Sequence, residues 1–190
     1  MTLAKRLKQS FDTQFEAPLG VWERFAEHCE LVNFKKNEII KPAHSIEWAG
    51  YFILKGSGGI FVWKKNDYVC LDLAYENEFF GDGLSLNTGE ATPIETMALE
   101  NSEMLKISRD NLEILKQTPR GQFIFLIAAE NDYAKKQKQQ LDLLLKTAEQ
   151  RYLELLKEQP DLILRTPQKH IASFLGITPQ SLSRIRRKLM

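Results

Sequence analysis

Polar and cationic side chains that could bind nucleic acid are concentrated at the end of the chain. Residues 166–190 contain five Lys or Arg residues and no Asp or Glu. Because the whole chain carries a formal net charge of +1, the other residues together carry −4. Glutamine and arginine can bond base edges bidentately, and arginine and lysine bind phosphates. A basic end on a slightly acidic chain therefore indicates a binding site for a polyanion.

Two short helices are expected to hold these side chains. Thr166-Pro167 and Thr178-Pro179 each place a hydroxyl residue before a proline, which is the typical start of a helix. Gly176 lies between the two patterns and can supply the positive φ of a tight turn. We therefore predict a helix-turn-helix. The second helix is expected to bury Leu182, Ile185 and Leu189.

The outward face of this helix pair gives the candidate DNA-binding residues. Gln180 and Arg184 lie one turn apart at the start of the second helix, where a recognition helix contacts base edges. Arg186, Arg187 and Lys188 are better placed for phosphates, which give affinity without sequence information. The alternative is an amphipathic helix pair that is only structural. The candidate set is Gln168, Lys169, Thr178, Gln180, Ser181, Ser183, Arg184, Arg187 and Lys188.

A long helix is predicted before this unit. Between Pro119 and about Lys146 there is no further proline, and no glycine follows Gly121. A helix of that length cannot bury its whole apolar stripe on one small β domain, so we predict a dimer seam, with packing on its own domain as the alternative. A further helix is predicted from Thr147 to about Gln159. The stripe consists of Phe123, Ile127, Glu130, Ala134, Gln137, Leu141 and Leu144 or Leu145.

The region from Leu31 to about Ile107 has the pattern of short strands. Runs of aromatic and β-branched residues alternate with turn residues, and seven of the ten glycines lie between Gly50 and Gly89. This predicts a compact antiparallel β-roll, with short helices in residues 1–30 and one capped by Ser108. The strand runs are Glu38–Ile40, Gly50–Leu54, Gly59–Trp63, Tyr68–Leu73 and Met104–Ile107, with a hairpin turn at 64–67.

Composition excludes several classes of function. The chain has 190 residues, 43% of them apolar and 27% charged, which is ordinary for a globular protein. No apolar run is long enough for a membrane span or a signal peptide, so we expect a cytoplasmic protein without a membrane partner. Cys29 and Cys70 have no metal-ligand spacing, so we expect reduced thiols and no metal. His28, His44 and His170 are scattered without a nucleophile–base motif, so we expect no enzyme activity.

The order of these parts resembles the catabolite-activator and Fnr-type (Crp/Fnr) transcription regulators from about Leu31 to Leu189. The resemblance is carried by YFILKGSGGIFV, FFGDGLSLNTGEATP and IASFLGITPQSLSRIRRKL. It implies an α+β fold with an N-terminal antiparallel β-roll of the cyclic-nucleotide-binding-like jelly-roll type, a long dimerisation helix and a C-terminal helix-turn-helix. The expected domains are 1–118, the β-roll sensor with flanking helices; 119–146, the dimerisation helix; and 147–190, the helix-turn-helix domain.

The resemblance implies a sequence-specific regulator that binds palindromic double-stranded DNA as a homodimer, with an effector pocket in the β-roll. RNA polymerase is a further partner that such a regulator implies. The alternative is a ligand-binding or protein-interaction module whose C-terminal helices are structural. No N-terminal cysteine cluster is present for an iron–sulfur centre, and the chain ends at Met190, so we expect the helix-turn-helix to lack the full β wing of many relatives.

The cyclic-nucleotide cassette of the family departs from its pattern in this chain. The family's Gly-Glu pair reads Gly81-Asp82, and its Arg-Ser or Arg-Thr pair falls at Thr92-Pro93, so the arginine that neutralises the cyclic phosphate is missing. Between Asn66 and Leu105 there are nine acidic residues and no Lys, Arg or His. We therefore predict no cofactor and no cyclic nucleotide bound in the usual way, and the effector, neutral or cationic if there is one, stays unidentified. The candidate pocket is Gly81, Asp82, Gly83, Leu84, Thr92 and Pro93.

Overall fold

The computed structural model describes residues 2–11, 16–64 and 67–189. Seventeen helices and strands follow one another in this part of the chain. They are α1 Leu3–Phe11, α2 Leu19–Glu27, β1 Cys29–Phe34, β2 Ile39–Lys41, β3 Ala49–Lys55, β4 Gly58–Lys64, β5 Asp67–Ala74, β6 Phe79–Phe80, α3 Gly83–Thr88, β7 Ile94–Ala98, β8 Ser102–Ser108, α4 Arg109–Lys116, α5 Pro119–Leu145, α6 Ala148–Glu158, α7 Pro160–Arg165, α8 Gln168–Phe174 and α9 Pro179–Leu189.

The eight strands form two antiparallel four-stranded sheets. One has the order β1-β8-β3-β6, and the other has the order β2-β7-β4-β5. The predicted β-roll is therefore confirmed, and each of the five predicted strand runs overlaps an observed strand. Strands β1, β6 and β7 were not predicted. Most residues of β1 are partly or fully exposed, β6 has only two residues, and β7 carries the buried polar pair Glu95 and Thr96. Of the predicted hairpin turn, Lys65 and Asn66 lie outside the described residues, and Lys64 pairs with Asp67 across it.

Three apolar clusters hold these layers together. The first joins α1, α2 and α4 to one sheet, and there the rings of Phe11 and Trp22 stack with centroids 5.0 Å apart. The second lies inside the roll around Ile53, Phe80 and Met104. The third joins the other sheet to the C-terminal helices, and it includes Phe61, Cys70, Leu73, Tyr152, Ile171, Ala172 and Leu182. Because a fully buried large apolar side chain contributes about 1.5–3 kcal/mol, the third cluster is a stable contact between roll and helix-turn-helix.

The predicted long helix is present as α5, which has 27 residues. Thr118 caps it, since its Oγ1 accepts a hydrogen bond from the Gly121 N–H. Gly121 is needed there because a Cβ would overlap the carbonyl of Leu115 at the end of α4. Gly121 is also the helix's one buried residue among those described. Large apolar side chains along α5 are exposed in the single chain: Phe123, Leu126, Tyr133, Leu141, Leu143, Leu144 and Leu145.

Of the three predicted caps, Ser108 and Thr178 are confirmed and Thr166 is wrong, and Thr147 is a further cap that was not predicted. Ser108, Thr147 and Thr178 each accept a hydrogen bond from a backbone N–H in the first turn that follows. Thr166 does not cap α8. It ends α7, a helix that was not predicted, and its hydroxyl pairs instead with the hydroxyl of Tyr75. Helix α8 begins at Gln168 after Pro167 and has no side-chain cap.

Among the described residues, no helix has both the length and the hydropathy needed to cross a membrane. The same residues contain no group of three or more His, Cys, Asp and Glu side chains that could hold a metal ion. Cys29 and Cys70 are both free thiols, and burial raises the pKa of each, in Cys29 to about 12. Both cysteines are therefore protonated and poorly reactive at neutral pH.

Candidate nucleic-acid interface

Helix α9 presents the predicted base-contacting side chains to solvent. Gln180 and Arg184 are both exposed and lie on the side away from Leu182, which is fully buried. Ser183 is exposed, whereas the Ser181 side chain is half-buried and accepts a hydrogen bond from the Thr178 hydroxyl at 3.1 Å. An exposed polar face on a capped helix is what a recognition helix needs.

The turn before α9 has the predicted geometry. Gly176 has a φ of 68°, and the Ile177 N–H donates to the Ala172 carbonyl at 2.9 Å. Ala172 is itself fully buried, so its small side chain lets the two helices cross closely. Gln168 and Lys169 of the candidate set are both exposed on α8. The prediction that Leu189 is buried is wrong, because its side chain is 41% exposed.

The cations of α9 differ in their partners. Arg184, Arg186 and Arg187 form no ion pair within the described part of the chain, whereas the Nζ of Lys188 lies 2.9 Å from Oε2 of Glu149. That pair is solvent-exposed, so it contributes little and a phosphate can compete for the lysine. The arginines therefore give α9 a positive face that no acidic side chain of the described residues neutralises.

Helix α8 packs on the edge of the second sheet. Strand β5 is that edge, and Ser173 covers it: the Ser173 Oγ accepts a hydrogen bond from the Cys70 N–H at 2.9 Å and donates one to the Tyr68 carbonyl at 3.1 Å. A serine side chain thus satisfies two edge groups that a neighbouring strand would otherwise pair. Tyr68 makes a further contact, because its hydroxyl lies 2.9 Å from Nδ1 of His170.

The His170–Tyr68 hydrogen bond is formed by two groups whose pKa values are both shifted by burial. Burial, and to a smaller extent the nearby Lys169, lowers the pKa of His170 from 6.5 to about 4. Burial raises the pKa of Tyr68 to about 12. At neutral pH this hydrogen bond therefore joins a neutral imidazole and a neutral phenol. The sequence did not predict this role, because His170 and Tyr68 are far apart in the chain.

Arg165 is a second contact between the C-terminal helices and the roll. Its two terminal nitrogens lie 2.8 Å from the Glu76 carboxylate and 2.6 Å from Glu100. The hydrogen bonds from Arg165 lower the pKa of Glu76 to about 2. Two of the nine acidic residues between Asn66 and Leu105 are thus partners of a cation on α7. No sequence pattern indicates these ion pairs, because they depend on α7, which lies outside the predicted helices.

Two of the six candidate pocket residues lie together, in the interior of the roll. Asp82 caps α3 by accepting from the Ser85 N–H at 3.1 Å, and the Thr92 hydroxyl donates to the other Asp82 oxygen. Asp82 and Thr92 are buried, whereas Gly83, Leu84 and Pro93 are exposed and Gly81 is half-buried. The six residues are therefore divided between the interior and the surface of the roll.

Lys41, which is not among the predicted pocket residues, lies beside Asp82. The Nζ of Lys41 is 2.9 Å from Oδ2 of Asp82, 2.9 Å from Oγ1 of Thr92 and 2.7 Å from the Ile94 carbonyl. The side chains of Lys41 and Asp82 are 2% and 0% exposed. Burial alone would raise the pKa of Asp82, but the hydrogen bonds from Thr92 and Lys41 hold it below its ordinary value. Each of the three ammonium protons has an acceptor, so the network is complete.

The long helix is held to the roll by a further ion-pair group. Asp72 on β5 lies 2.6 Å from the Nζ of Lys136 and 3.3 Å from that of Lys135. Burial would raise the pKa of Asp72, and the two lysines lower it below its ordinary value. One face of α5 is therefore occupied by its own roll.

Solved structures with the same arrangement come from several bacteria. No protein-family model matches the chain, and no curated protein matches it in sequence. The c-di-GMP responsive global regulator CLP of Xanthomonas campestris is 17% identical, with a TM-score of 0.69 over 90% of this chain and 91% of that chain. FixK2 from Bradyrhizobium japonicum is 17% identical, with a TM-score of 0.73 over 85% and 84%. The Thermus thermophilus catabolite activator protein is 18% identical, with a TM-score of 0.58 over 95% and 85%.

These structures are regulators of the Crp/Fnr family, with a cyclic-nucleotide-binding-like β-roll. The chain therefore has the fold of the Crp/Fnr transcription regulators.

Proposed function

We propose that this chain is a sequence-specific DNA-binding transcription regulator that acts as a homodimer, and not an enzyme. The observation that carries this function is the exposed face of α9, where Gln180 and Arg184 lie one turn apart and the arginines have no acidic partner among the described residues. Such a face can place a glutamine on adenine and an arginine on guanine while the neighbouring cations bind phosphates. The shared fold with DNA-binding regulators supports the same function.

The exposed stripe of α5 supports the dimer. Asp72 of the roll forms an ion pair with Lys136 on one side of α5. The side chains of Phe123, Tyr133 and Leu144 are 57%, 67% and 74% exposed. A second α5 packed along this stripe would remove that apolar area from water. A two-fold dimer would then match a palindromic site with half-site centres about 34 Å apart. A contact with RNA polymerase stays a prediction from the family resemblance.

The Lys41 network supports a β-roll that does not bind cyclic nucleotide in the usual way. Asp82 stands where the family has its ribose-binding carboxylate, and it is already bonded to Lys41, Thr92 and the Ser85 N–H. A phosphate that approached Lys41 would have to replace Asp82 as the counter-ion and leave a buried carboxylate unpaired. That exchange is unfavourable, because an unpaired buried charge costs several kcal/mol.

The competing function is a ligand-binding or protein-interaction module with structural C-terminal helices. The packing of α8 on β5 favours it in part, because Ser173 and His170 are engaged with the roll. The basic face of α9 is not engaged in that way, since Arg184 and Arg187 stay exposed. This difference between the two helices favours DNA binding.

The test is selection of binding sites from random double-stranded DNA, followed by fluorescence anisotropy at two salt concentrations. We expect selection of a palindromic site. The logarithm of the association constant for that site should fall linearly with the logarithm of the salt concentration. Arg184→Ala should cost about 1–3 kcal/mol, roughly 5- to 150-fold in affinity, on the selected site and less on unrelated DNA. Lys106→Ala removes one positive charge from the roll and should leave both affinities unchanged. Equal affinity for all sequences, or an unchanged preference in Arg184→Ala, would contradict the proposal.

A further inference from the structure

An apolar cleft of about 330 Å³ lies between α2 and the start of α5. Val21 and Phe25 form the α2 side, and Ile124 and Phe125 form the α5 side, with Leu115 of α4 between them. A second cavity of about 300 Å³ shares Val21 and Ile124 and extends the cleft past Pro119. Volumes of this size are typical of sites for small organic molecules. None of the six candidate pocket residues of the β-roll lines either cavity.

Both walls of the cleft are fixed by the core of the protein. Trp22 and Phe25 anchor α2 in the first apolar cluster, and they are 1% and 5% exposed. The close approach of Gly121 to the Leu115 carbonyl fixes the angle between α4 and α5. The cleft therefore does not need to be opened by a ligand, and binding would carry little cost of reorganisation.

The charge around the cleft is positive. Arg24 of α2 and Arg120 of α5 both line it, both are exposed, and neither guanidinium has an ion pair or hydrogen bond within the described residues. The first turn of α5 contains no acidic residue, and the N-terminal end of a helix favours an anion. No carboxylate is among the described lining residues of the main cleft, whereas Glu16 lines the second cavity.

We propose that this cleft binds an anionic amphiphile, namely an acyl chain with a carboxylate head. The carboxylate would pair with Arg24 and Arg120, which can each offer two parallel N–H donors to it. The acyl chain would lie against Val21, Ile124 and Phe125. Two unpaired arginines beside an apolar surface complement both ends of such a molecule. A cationic ligand would be repelled by the arginines, and a fully polar ligand would make no favourable contact with the apolar walls. Binding here is separate from DNA binding and is measured without DNA.

Decanoate is the probe, titrated calorimetrically below its critical micelle concentration into the 190-residue chain. Decylamine, with the same tail and the opposite charge, is the ligand control. We expect decanoate to bind with a stoichiometry of one per chain and decylamine to bind at least about tenfold more weakly. Equal binding of the two compounds, or no binding of decanoate, would overturn the proposal.

Two variants locate the site. Arg24→Gln combined with Arg120→Gln removes both cations and should weaken decanoate at least about tenfold, while Lys157→Gln removes an exposed cation of α6 and should not. Ile124→Trp fills the cleft and should weaken decanoate and uncharged decanol alike. The arginines have no described partners, so their loss should leave the unfolding temperature unchanged. Full binding by both variants would place the ligand elsewhere, and altered dimerisation without decanoate binding would assign the cleft to the dimer contact.

Discussion

Substitution of the buried lysine of the roll is the most direct test of the Lys41 network. Lys41→Met keeps a long unbranched side chain of similar volume and removes the ammonium group. Asp82 then keeps its hydrogen bonds from the Ser85 N–H and the Thr92 hydroxyl and loses its only described cation. Breaking one side of a buried ion pair costs about 3–5 kcal/mol. Because two hydrogen bonds remain, we expect a loss near the lower limit, about 3 kcal/mol in the free energy of unfolding.

A double variant separates the charge from the packing. Lys41→Met with Asp82→Asn removes both charges, and asparagine can still cap α3 by accepting from the Ser85 N–H. Replacing a buried ion pair by neutral groups is often close to neutral, so the double variant should recover most of the loss. The matched control is Lys36→Met, which makes the same substitution at an exposed lysine and should change stability by less than about 0.5 kcal/mol.

The assay is urea unfolding at one fixed protein concentration, followed by tryptophan fluorescence at pH 7 and pH 5. In Lys41→Met the pKa of Asp82 should rise above its ordinary value, because burial then acts without the ammonium group. A raised carboxyl pKa means that the folded variant takes up a proton more readily than its unfolded chain as pH falls. The decrease in the free energy of unfolding of Lys41→Met, relative to the unsubstituted protein, should therefore be smaller at pH 5 than at pH 7. A single variant as stable as Lys36→Met, or a double variant no more stable than the single, would refute the reasoning.

Three further predictions concern the contact of the roll with α8 and the proposed dimer contact of α5. Because the pKa of His170 is lowered from 6.5 to about 4, the stability that neutral His170 contributes is fully present above pH 6.5 and is lost as pH falls towards 4. Urea unfolding should show up to about 3 kcal/mol of this loss, and His170→Gln should remove that pH dependence. Ser173→Ala leaves the Cys70 N–H without its partner and should cost about 1–3 kcal/mol by the same measurement. If the proposed dimer forms through α5, Leu144→Glu should shift it to monomer in light scattering, whereas Leu164→Glu, at a position 82% exposed on α7, should not.

Local sequence patterns predicted many of the elements, because hydrophobic periodicity, helix caps and turn residues each act over only a few residues. Strand runs alternate with turns that contain glycine, and the absence of a further proline in residues 120–146 allows a long helix. Thr178 caps the helix that follows it. Thr166-Pro167 shows the same local pattern as Thr178-Pro179 and behaves differently. There the Thr166 hydroxyl meets Tyr75 of the roll, so a tertiary contact replaces the local one.

The Lys41 network could not be predicted from sequence for a similar reason. Lysine is rarely buried, and Lys41 follows Ile39 and Ile40 at the end of a short strand, where an exposed lysine is the ordinary expectation. The useful signal lies in the pairing of β2 with β7, which places Lys41 opposite Thr96 on the inner face of the roll. That pairing is long-range, so it becomes visible only when the sheet is assembled.

The acidic region of the roll has a different meaning once its partners are known. From sequence alone, the excess of carboxylates between Asn66 and Leu105 indicates a ligand that is neutral or cationic. In the structure, Asp82 binds Lys41, Asp72 binds Lys135 and Lys136, and Glu76 and Glu100 bind Arg165. These cations come from β2, α5 and α7, so the carboxylates join the roll to its own neighbouring elements. The arginines of α9 have no such partner among the described residues, and for that reason the phosphates of DNA are the counter-ions that fit them.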